Sequence, residues 1–561
     1  MDPAVLTFLT VLAGLLFFFL MMGVRDNRKK AAAYLRTLKQ HDGQLPWKEH
    51  TTESDTHLSG YFHAHPAPFQ IDERTAADLD LVSVFRRLDY TQSAAGEEYL
   101  YWLLRTPALQ DEDQTLREEQ IQAMQVCKTD RIALQIALHQ IGGCGKYSIY
   151  DHLSLLDQAK RKHPVSNYLA ILLIALSVVV LLFQTEAGIV LLFVSIAWNV
   201  ITYYRDRNQV APYLLSLHYI LRLMDGADRL RTIHLSDTPC FEEEREELGK
   251  IVAQTGGFRR GSFLLAGTGR MAGGNPLDIL FDYIRILLHL DLIKFNSMID
   301  QAIRYRSDID RLITIIGKID STISIACYRD SLGTWCQPNL GGTAFETREL
   351  VHPLLRSPVA NSITTDGYVL LTGSNASGKS TFLRAAALAA LMAQTIRTVC
   401  AASYRAGYYR IYSSMALQDD LSSGESYYIV EIRSLKRILD AGKESSTPVL
   451  CFLDEVLRGT NTVERIAASS EILHSLRERG IRCFAATHDV ELTVLLEKDY
   501  DNYHFEEQIQ NGDISFPYRL LPGPARSRNA IRLLEAIGYD ESIIQAAENR
   551  ADNFLKTGTW K

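Results

Sequence analysis

Apolar residues fall into three kinds of run along this chain, and each kind predicts a different element. Val5 to Val24 is almost wholly apolar, about the length that crosses the hydrocarbon core of a bilayer. Two more such runs, Tyr168 to Phe183 and Ala187 to Tyr203, are separated only by Gln184-Thr185-Glu186 and predict a hydrophobic helical hairpin at 168–203. The second kind is periodic. From Ile71 onward Leu81, Phe85, Leu88, Tyr99, Leu103 and Leu104 recur at helical spacing, similar patterning returns over 208–350, and Leu312 to Tyr328 reads as a long amphipathic helix. The third kind is short. Val369 to Thr372, Pro448 to Leu453 and Ile481 to Ala486 have the length and composition of buried parallel strands.

Flanking charge orients the apolar runs. No Lys or Arg precedes the first, so the positive start of a secretory signal is missing, while Arg25, Arg28, Lys29 and Lys30 follow it at once. Lys160, Arg161 and Lys162 precede the hairpin, Arg205 and Arg207 follow it, and its short loop has no positive charge. All these flanks then lie in the cytoplasm, which predicts a retained anchor and a hairpin that spans twice. Both hairpin runs are short for a span, so a hairpin packed on other protein is the alternative. Residues 25–70 are polar and mixed, with Pro46, Pro66 and Pro68, and read as a linker. The predicted organisation is an anchor at 1–24, that linker, a helical core domain at 71–350 containing the hairpin, and an α/β domain at 351–561. A length of 561 residues accommodates three or four such units.

A formal net charge of −7 argues against a globally basic nucleic-acid-binding chain, though a local basic groove remains compatible with it. The eight Cys include no Cys-x-x-Cys pair and read as reduced intracellular thiols, not as a disulfide framework or a zinc site. The segment Gly267 to Gly274 does not fit G-x-G-x-x-G and reads as a loop.

The short strands carry the chemistry. The first opens onto Gly373-Ser374-Asn375-Ala376-Ser377-Gly378-Lys379-Ser380-Thr381 and then an Ala/Leu-rich helical segment, which is a Walker A loop in its strand–loop–helix setting. The glycines let successive N–H groups and the helix N-terminus face phosphates, Lys379 supplies charge to the β- and γ-phosphates, and the Ser380 hydroxyl reaches Mg²⁺. The second strand ends in Asp454-Glu455. Asp454 suits the Mg²⁺ side, and Glu455 suits the group that polarises the attacking water. The third ends in Thr487-His488, which places His488 to touch the γ-phosphate. Between them Asp419-Asp420-Leu421-Ser422-Ser423-Gly424-Glu425-Ser426 precedes a helical pattern at Ile429, Ile432, Leu435 and Ile438. That makes a second anion site, free to serve the ATP of a neighbouring subunit.

Taken together, the Walker A text, the 419–426 signature, Asp454-Glu455-Val456-Leu457-Arg458-Gly459-Thr460-Asn461-Thr462 and Ala486-Thr487-His488 resemble the ATPase domain of the MutS family. His352-Pro353, Asn361 and Ser527-Arg528-Asn529 are similar to that family's text, and Thr75 to Pro107 and Ile316 to Ala326 are so more weakly. The resemblance implies an α-helical core and lever domain joined to an α/β ABC-type P-loop ATPase that uses ATP and Mg²⁺. It implies a homodimer in which Ser423, Gly424 and Ser426 complete the partner's site, ATP state moves lever helices, and a helical tail from Ser527 to Asn553 helps the domains pair. The departures are as informative. A membrane span and short linker stand where family members carry a mismatch-reading domain, the region between the levers is short for a clamp, Leu457 replaces a usual Gly, and Ala376-Ser377 replaces Met-Gly. The resulting expectation is a multi-pass protein of a bacterial inner membrane, its ATPase domain facing the cytoplasm, with DNA as ligand. The alternative is a mechanochemical ATPase acting on a membrane or protein partner. A transporter is disfavoured because the apolar runs contain essentially no charge.

Overall fold

The computed structural model describes all residues except 1–17, 19–20, 23–24, 26–28, 30, 49–56, 112–113, 160–164, 236–239, 260–282, 375–376, 416–426, 444–446, 511–512, 526–530, 532–533, 535–536 and 561. Two compact units emerge, one from residues 1–66, 88–102 and 119–331, the other from 67–87, 103–118 and 332–561. Helices α1 (residues 31–40), α2 (Ser59–Ala64), α3 (Glu73–Asp78), α4 (Leu81–Leu88), α5 (Ala94–Arg105), α6 (Gln114–Val126), α7 (Lys128–Ile141), α8 (Ile149–Asp157), α9 (Val165–Phe183), α10 (Thr185–Thr232), α11 (Glu242–Gln254), α12 (Gly256–Arg259), α13 (residues 283–288), α14 (Leu290–Arg304) and α15 (Arg306–Ser331) precede the first strand.

In the first unit α15 is the spine. Ile309, Leu312, Ile316, Ile319, Ile323 and Ala326 recur every three or four residues and are buried. Asp320, buried on the same helix, accepts the backbone N–H of Gln92 at 3.0 Å and of Ser93 at 2.8 Å, which satisfies amides at the start of α5. Of the stretch read as a linker, residues 31–48 and 57–66 pack into this unit. Lys48 pairs with Asp89 at 2.9 Å and Glu97 at 2.7 Å, Tyr34 stacks on His139, and Leu58, Tyr61 and Phe62 are buried. Its polar residues have partners far along the chain, which composition cannot reveal.

Helices α9 and α10 pack against each other as a hairpin. A Cβ on Gly188 would lie 2.2 Å from the Cα of Leu181, so only glycine permits that approach. Ala170, Ser177, Gly188, Ser195 and Asn199 are buried, the small-residue seam that lets apolar helices approach closely. Leu172, Leu176, Val179, Leu182, Phe193, Val194 and Ile201 face outward and are exposed. Both helices are long and apolar enough to cross a membrane. The second does not stop at Tyr203. It continues to Thr232, and its apolar face turns inward, burying Leu214, Leu217, Ile220 and Met224. The N-terminal apolar run lies outside the described residues apart from Phe18, Met21 and Met22.

The second unit holds strands β1 (Asn339–Leu340), β2 (Phe345–Leu350), β3 (Asn361–Thr365), β4 (Tyr368–Thr372), β5 (Ser403–Ala406), β6 (Arg410–Ser414), β7 (Val449–Asp454), β8 (Arg482–Ala486), β9 (Asp501–His504), β10 (Gln508–Gln510), β11 (Asp513–Ser515) and β12 (Leu521–Pro522). A six-stranded sheet runs β12-β9-β4-β8-β7-β6, parallel except at β12. A four-stranded sheet runs β1-β5-β2-β3. Helices α16 (Lys379–Thr395), α17 (Tyr427–Ala441), α18 (Thr462–Glu478), α19 (Glu491–Leu495) and α20 (Glu541–Thr557) complete the described elements. Residues 67–87 belong here because α3 docks on β6: Asp78 accepts the Ser413 hydroxyl at 2.6 Å and the Met415 N–H at 2.9 Å. The parallel strands β4, β7 and β8 all deliver their C-terminal ends to one edge, where ligands bind in open α/β sheets.

Candidate nucleotide site

Strand β4 ends at Thr372, and the chain turns through Gly373 at φ 141° and Gly378 at φ 110° into α16. A side chain at Gly373 would also meet the Phe505 carbonyl at 2.4 Å, so this turn requires glycine. The Lys379 ammonium folds back onto the carbonyls of Gly373 at 2.7 Å and Ser374 at 2.8 Å. Burial pushes it down to about 8, against the pull of Asp454, Glu455 and Glu507. The Ser377 hydroxyl is buried without a hydrogen-bond partner among the described residues. Asn375 and Ala376 lie outside the described residues.

Register brings the acids and the histidine together. Asp454 on β7 pairs with Ala486 on β8, and the Glu455 N–H donates to the Ala486 carbonyl at 2.9 Å. Just past the strand ends, His488 Nε2 meets Glu455 Oε1 at 2.5 Å, and Arg458 Nε lies 2.9 Å from Glu455 Oε2. The His488 contact, with Arg458 and Lys379 adding to it, holds the Glu455 carboxyl below its usual range despite partial burial. Burial raises Asp454, opposed by the hydroxyl of Ser380, which donates to it. Ser380 and Asp454 are thus an adjacent hydroxyl–carboxylate pair, the hard oxygen donors that Mg²⁺ takes alongside phosphate oxygens. The residues present fit both the triphosphate and the cation.

A cavity of about 460 Å³ opens beside the loop, lined by Ser374, Ser377, Gly378, Lys379, Ser380 and Thr381 on one side and Glu455 on another. Its apolar walls come from Leu355, Val359, Phe505 and Tyr518. Of these, Phe505 and Tyr518 carry no signal in the sequence, since they sit on the connections leaving β9 and β11, far from any motif. His352 also lines the cavity, and burial, aided by Arg384, pushes its imidazole down to about 4. Glu507, likewise unsignalled, accepts the Ser374 hydroxyl at 2.6 Å. Ser423, Gly424 and Ser426 lie outside the described residues.

A parallel sheet carrying a Walker loop, an acid pair and a histidine on one edge defines an ATPase-type P-loop domain. Residues 369–555 match the family model of MutS domain V, so this C-terminal domain is of the MutS domain V type. It is 35% identical over 180 residues to the DNA mismatch repair protein MutS of Thermus thermophilus, a match covering 32% of this chain and 22% of that one. To the DNA mismatch repair protein MutS of Desulfovibrio desulfuricans it is 31% identical over 274 residues, 46% and 29% of the two chains. To DNA mismatch repair protein MutS 2 of Haloarcula marismortui it is 28% identical over 286 residues, 45% and 29%. The chain thus spans less than a third of the length of these relatives.

Proposed function

We propose that this chain is a membrane-anchored MutS-type ATPase that hydrolyses ATP to drive movements of its helical unit on DNA. The observation that carries the reading is the Glu455 carboxylate, fixed between His488 and Arg458 at a cavity whose facing wall is the Walker loop. When bound, Mg²⁺–ATP supplies the phosphoryl group that reacts. The Walker loop from Gly373 to Thr381 would cradle its phosphates with backbone N–H groups, with the Ser377 hydroxyl free to donate. Lys379 would exchange its loop carbonyls for phosphate charge, and Ser380 with Asp454 would hold the cation. Glu455 orients the attacking water and accepts its proton, and His488 keeps that carboxylate ionised and aimed. In a homodimer Ser423, Gly424 and Ser426 of one copy close the site of the other. The outward apolar faces of α9 and α10 support a position of the hairpin in the bilayer. The relatives' name, DNA mismatch repair protein, supports DNA as the ligand.

A second reading has its own observation. Helix α10 runs without a break from the exposed apolar hairpin into the buried core of the helical unit, so nucleotide-driven movement could act on the membrane or a protein in it. Steady-state hydrolysis by the detergent-purified chain, with homoduplex, mismatched and branched DNA at two salt concentrations, separates the two. The DNA reading expects stimulation that fades with salt, because phosphate contacts release counterions. Hydrolysis indifferent to every DNA moves the assignment to the membrane reading, and no hydrolysis at all refutes both.

A further inference from the structure

The loop that presents Glu455 is strained, and the group that holds it is not one of the nucleotide-facing residues. Glu455 and Leu457 both sit in the left-handed region, each at φ 59°. For residues with a side chain this conformation is strained, and it persists only where surrounding contacts over-determine it. Three contacts do so. The Ser469 hydroxyl donates to the Val456 carbonyl at 3.1 Å. Tyr428 of α17 packs on Gly459, where an added Cβ would lie 3.3 Å from the tyrosine Cβ. The third is Glu431, also on α17, whose carboxylate accepts the backbone N–H of Leu457 and draws on that of Arg458.

Glu431 is an unusual group to find there. It is 3% exposed, and its Oε2 has no hydrogen-bond partner among the described residues. Burying a carboxylate with an unmatched oxygen is costly, and its placement against two amides of a strained loop gives that cost a purpose. Charge-assisted bonds to backbone N–H groups are the stronger kind, suited to holding a left-handed leucine in place. Glu431 is not among the residues lining the nucleotide cavity, so it reaches the chemistry of this site through its contacts and not by touching the nucleotide.

Building on the ATPase reading above, we infer that Glu431 is a positioning residue for hydrolysis: by fixing the Leu457 and Arg458 amides it sets the left-handed loop that aims Glu455 at the attacking water. Arg458 is drawn into the same arrangement, since its side chain returns to Glu455. The inference makes Leu457 the test. Glycine adopts the left-handed conformation freely, so a Gly at 457 needs less help from the carboxylate.

The experiment measures single-turnover ATP hydrolysis and affinity for a fluorescent ATP analogue in the full chain and in Glu431→Gln, Glu431→Ala, Leu457→Gly and Glu431→Gln/Leu457→Gly. Glu431→Gln is expected to slow hydrolysis by about tenfold or more while changing nucleotide affinity by no more than about twofold. The double variant is expected to regain at least about threefold of that rate. Glu431 variants that hydrolyse at the normal rate overturn the inference. So does a rate loss that merely follows lost affinity, or a double variant no faster than Glu431→Gln. Glu455→Gln, run alongside, separates the two levels. If the parent chain does not hydrolyse ATP, or Glu455→Gln hydrolyses it equally well, the ATPase reading itself falls. If Glu455→Gln is slow and the Glu431 variants are not, only the positioning role does.

Discussion

Glu98 and Glu455 are both carboxylates set among polar groups, yet their surroundings push them in opposite directions. Glu98 is buried in the helical unit, where it accepts the N–H of Ile149 at 2.7 Å, the Ser148 hydroxyl at 2.9 Å and the Tyr61 N–H at 2.9 Å. Burial outweighs these bonds and pushes it up to about 7, and Asp320 is pushed up to about 7 by burial in the same way. Between pH of about 4.5 and 7 the folded chain therefore holds protons that the unfolded chain has released. Their stabilisation is complete below that window, which for Asp320 opens at about 3.8, and is lost as pH rises through it, at most about 3 kcal/mol for Glu98 and about 4 kcal/mol for Asp320. Melting temperature should fall from pH 5 to pH 7.5, and Glu98→Gln should flatten that fall to the share due to Asp320. Glu455 is instead held ionised by His488, so Glu455→Gln should bind ATP and turn it over more slowly by about a hundredfold or more. Lys379→Ala should chiefly raise KM; equal turnover in both variants would remove the site assignment. The Walker loop, the acid pair and His488 were legible because each is a contiguous stretch whose residue types carry the chemistry. Phe505 and Tyr518, which line the cavity, and Glu507, which accepts the Ser374 hydroxyl, were not, because the pairing of β9 beside β4 brings their stretch of chain to the loop.

At the scale of elements, α3 shows how a short helix is recruited to a distant sheet. Its N-cap Asp72 accepts the Thr75 N–H and also pairs with Arg437 on α17, while Arg74 donates to the Val430 carbonyl of that helix. The Thr75 hydroxyl accepts the Ser413 N–H, and Asp78 holds the end of β6. Asp78→Ala would leave the Ser413 hydroxyl and the Met415 amide without their acceptor, at a cost of about 1–3 kcal/mol. Urea unfolding followed by a probe in the α/β unit should report that loss, and an unchanged midpoint would show that α3 is not needed to hold β6. Periodicity announced helices from Ile71 onward, but not that residues 67–87 would join the α/β unit. Docking of this kind depends on which distant partner a single Asp finds, and spacing does not encode it. The same limit applies to residues 31–48, whose Lys48 is satisfied by Asp89 and Glu97. It applies also to α10, where a change of buried face at Tyr203 looked like an end because only the apolar run was visible.

For the whole molecule, the hairpin sets the question of where it resides. Leucine, valine and phenylalanine cover the outer faces of α9 and the first half of α10, more contiguous apolar surface than a water-facing helix pair carries. Nineteen residues of α9 extend about 28 Å, close to the roughly 30 Å of a hydrocarbon core. Membranes bearing the full chain should therefore retain it through an alkaline carbonate wash. Leu176→Lys and Phe193→Lys, on outward faces, should each weaken that retention, since a central lysine costs about 2.5–3.5 kcal/mol. Release of the parent chain by carbonate would mean that another protein covers these faces. In the membrane reading proposed above, the lower half of α10, which is buried in the helical unit, puts that unit on the face of Arg205 and Arg207, and Gln184 to Glu186 on the opposite one. A Glu186→Cys variant should then react with a membrane-impermeant maleimide applied from outside intact cells. Labelling only after the cells are broken would place the hairpin tip inside and remove the spanning arrangement, however firmly the chain holds to the membrane.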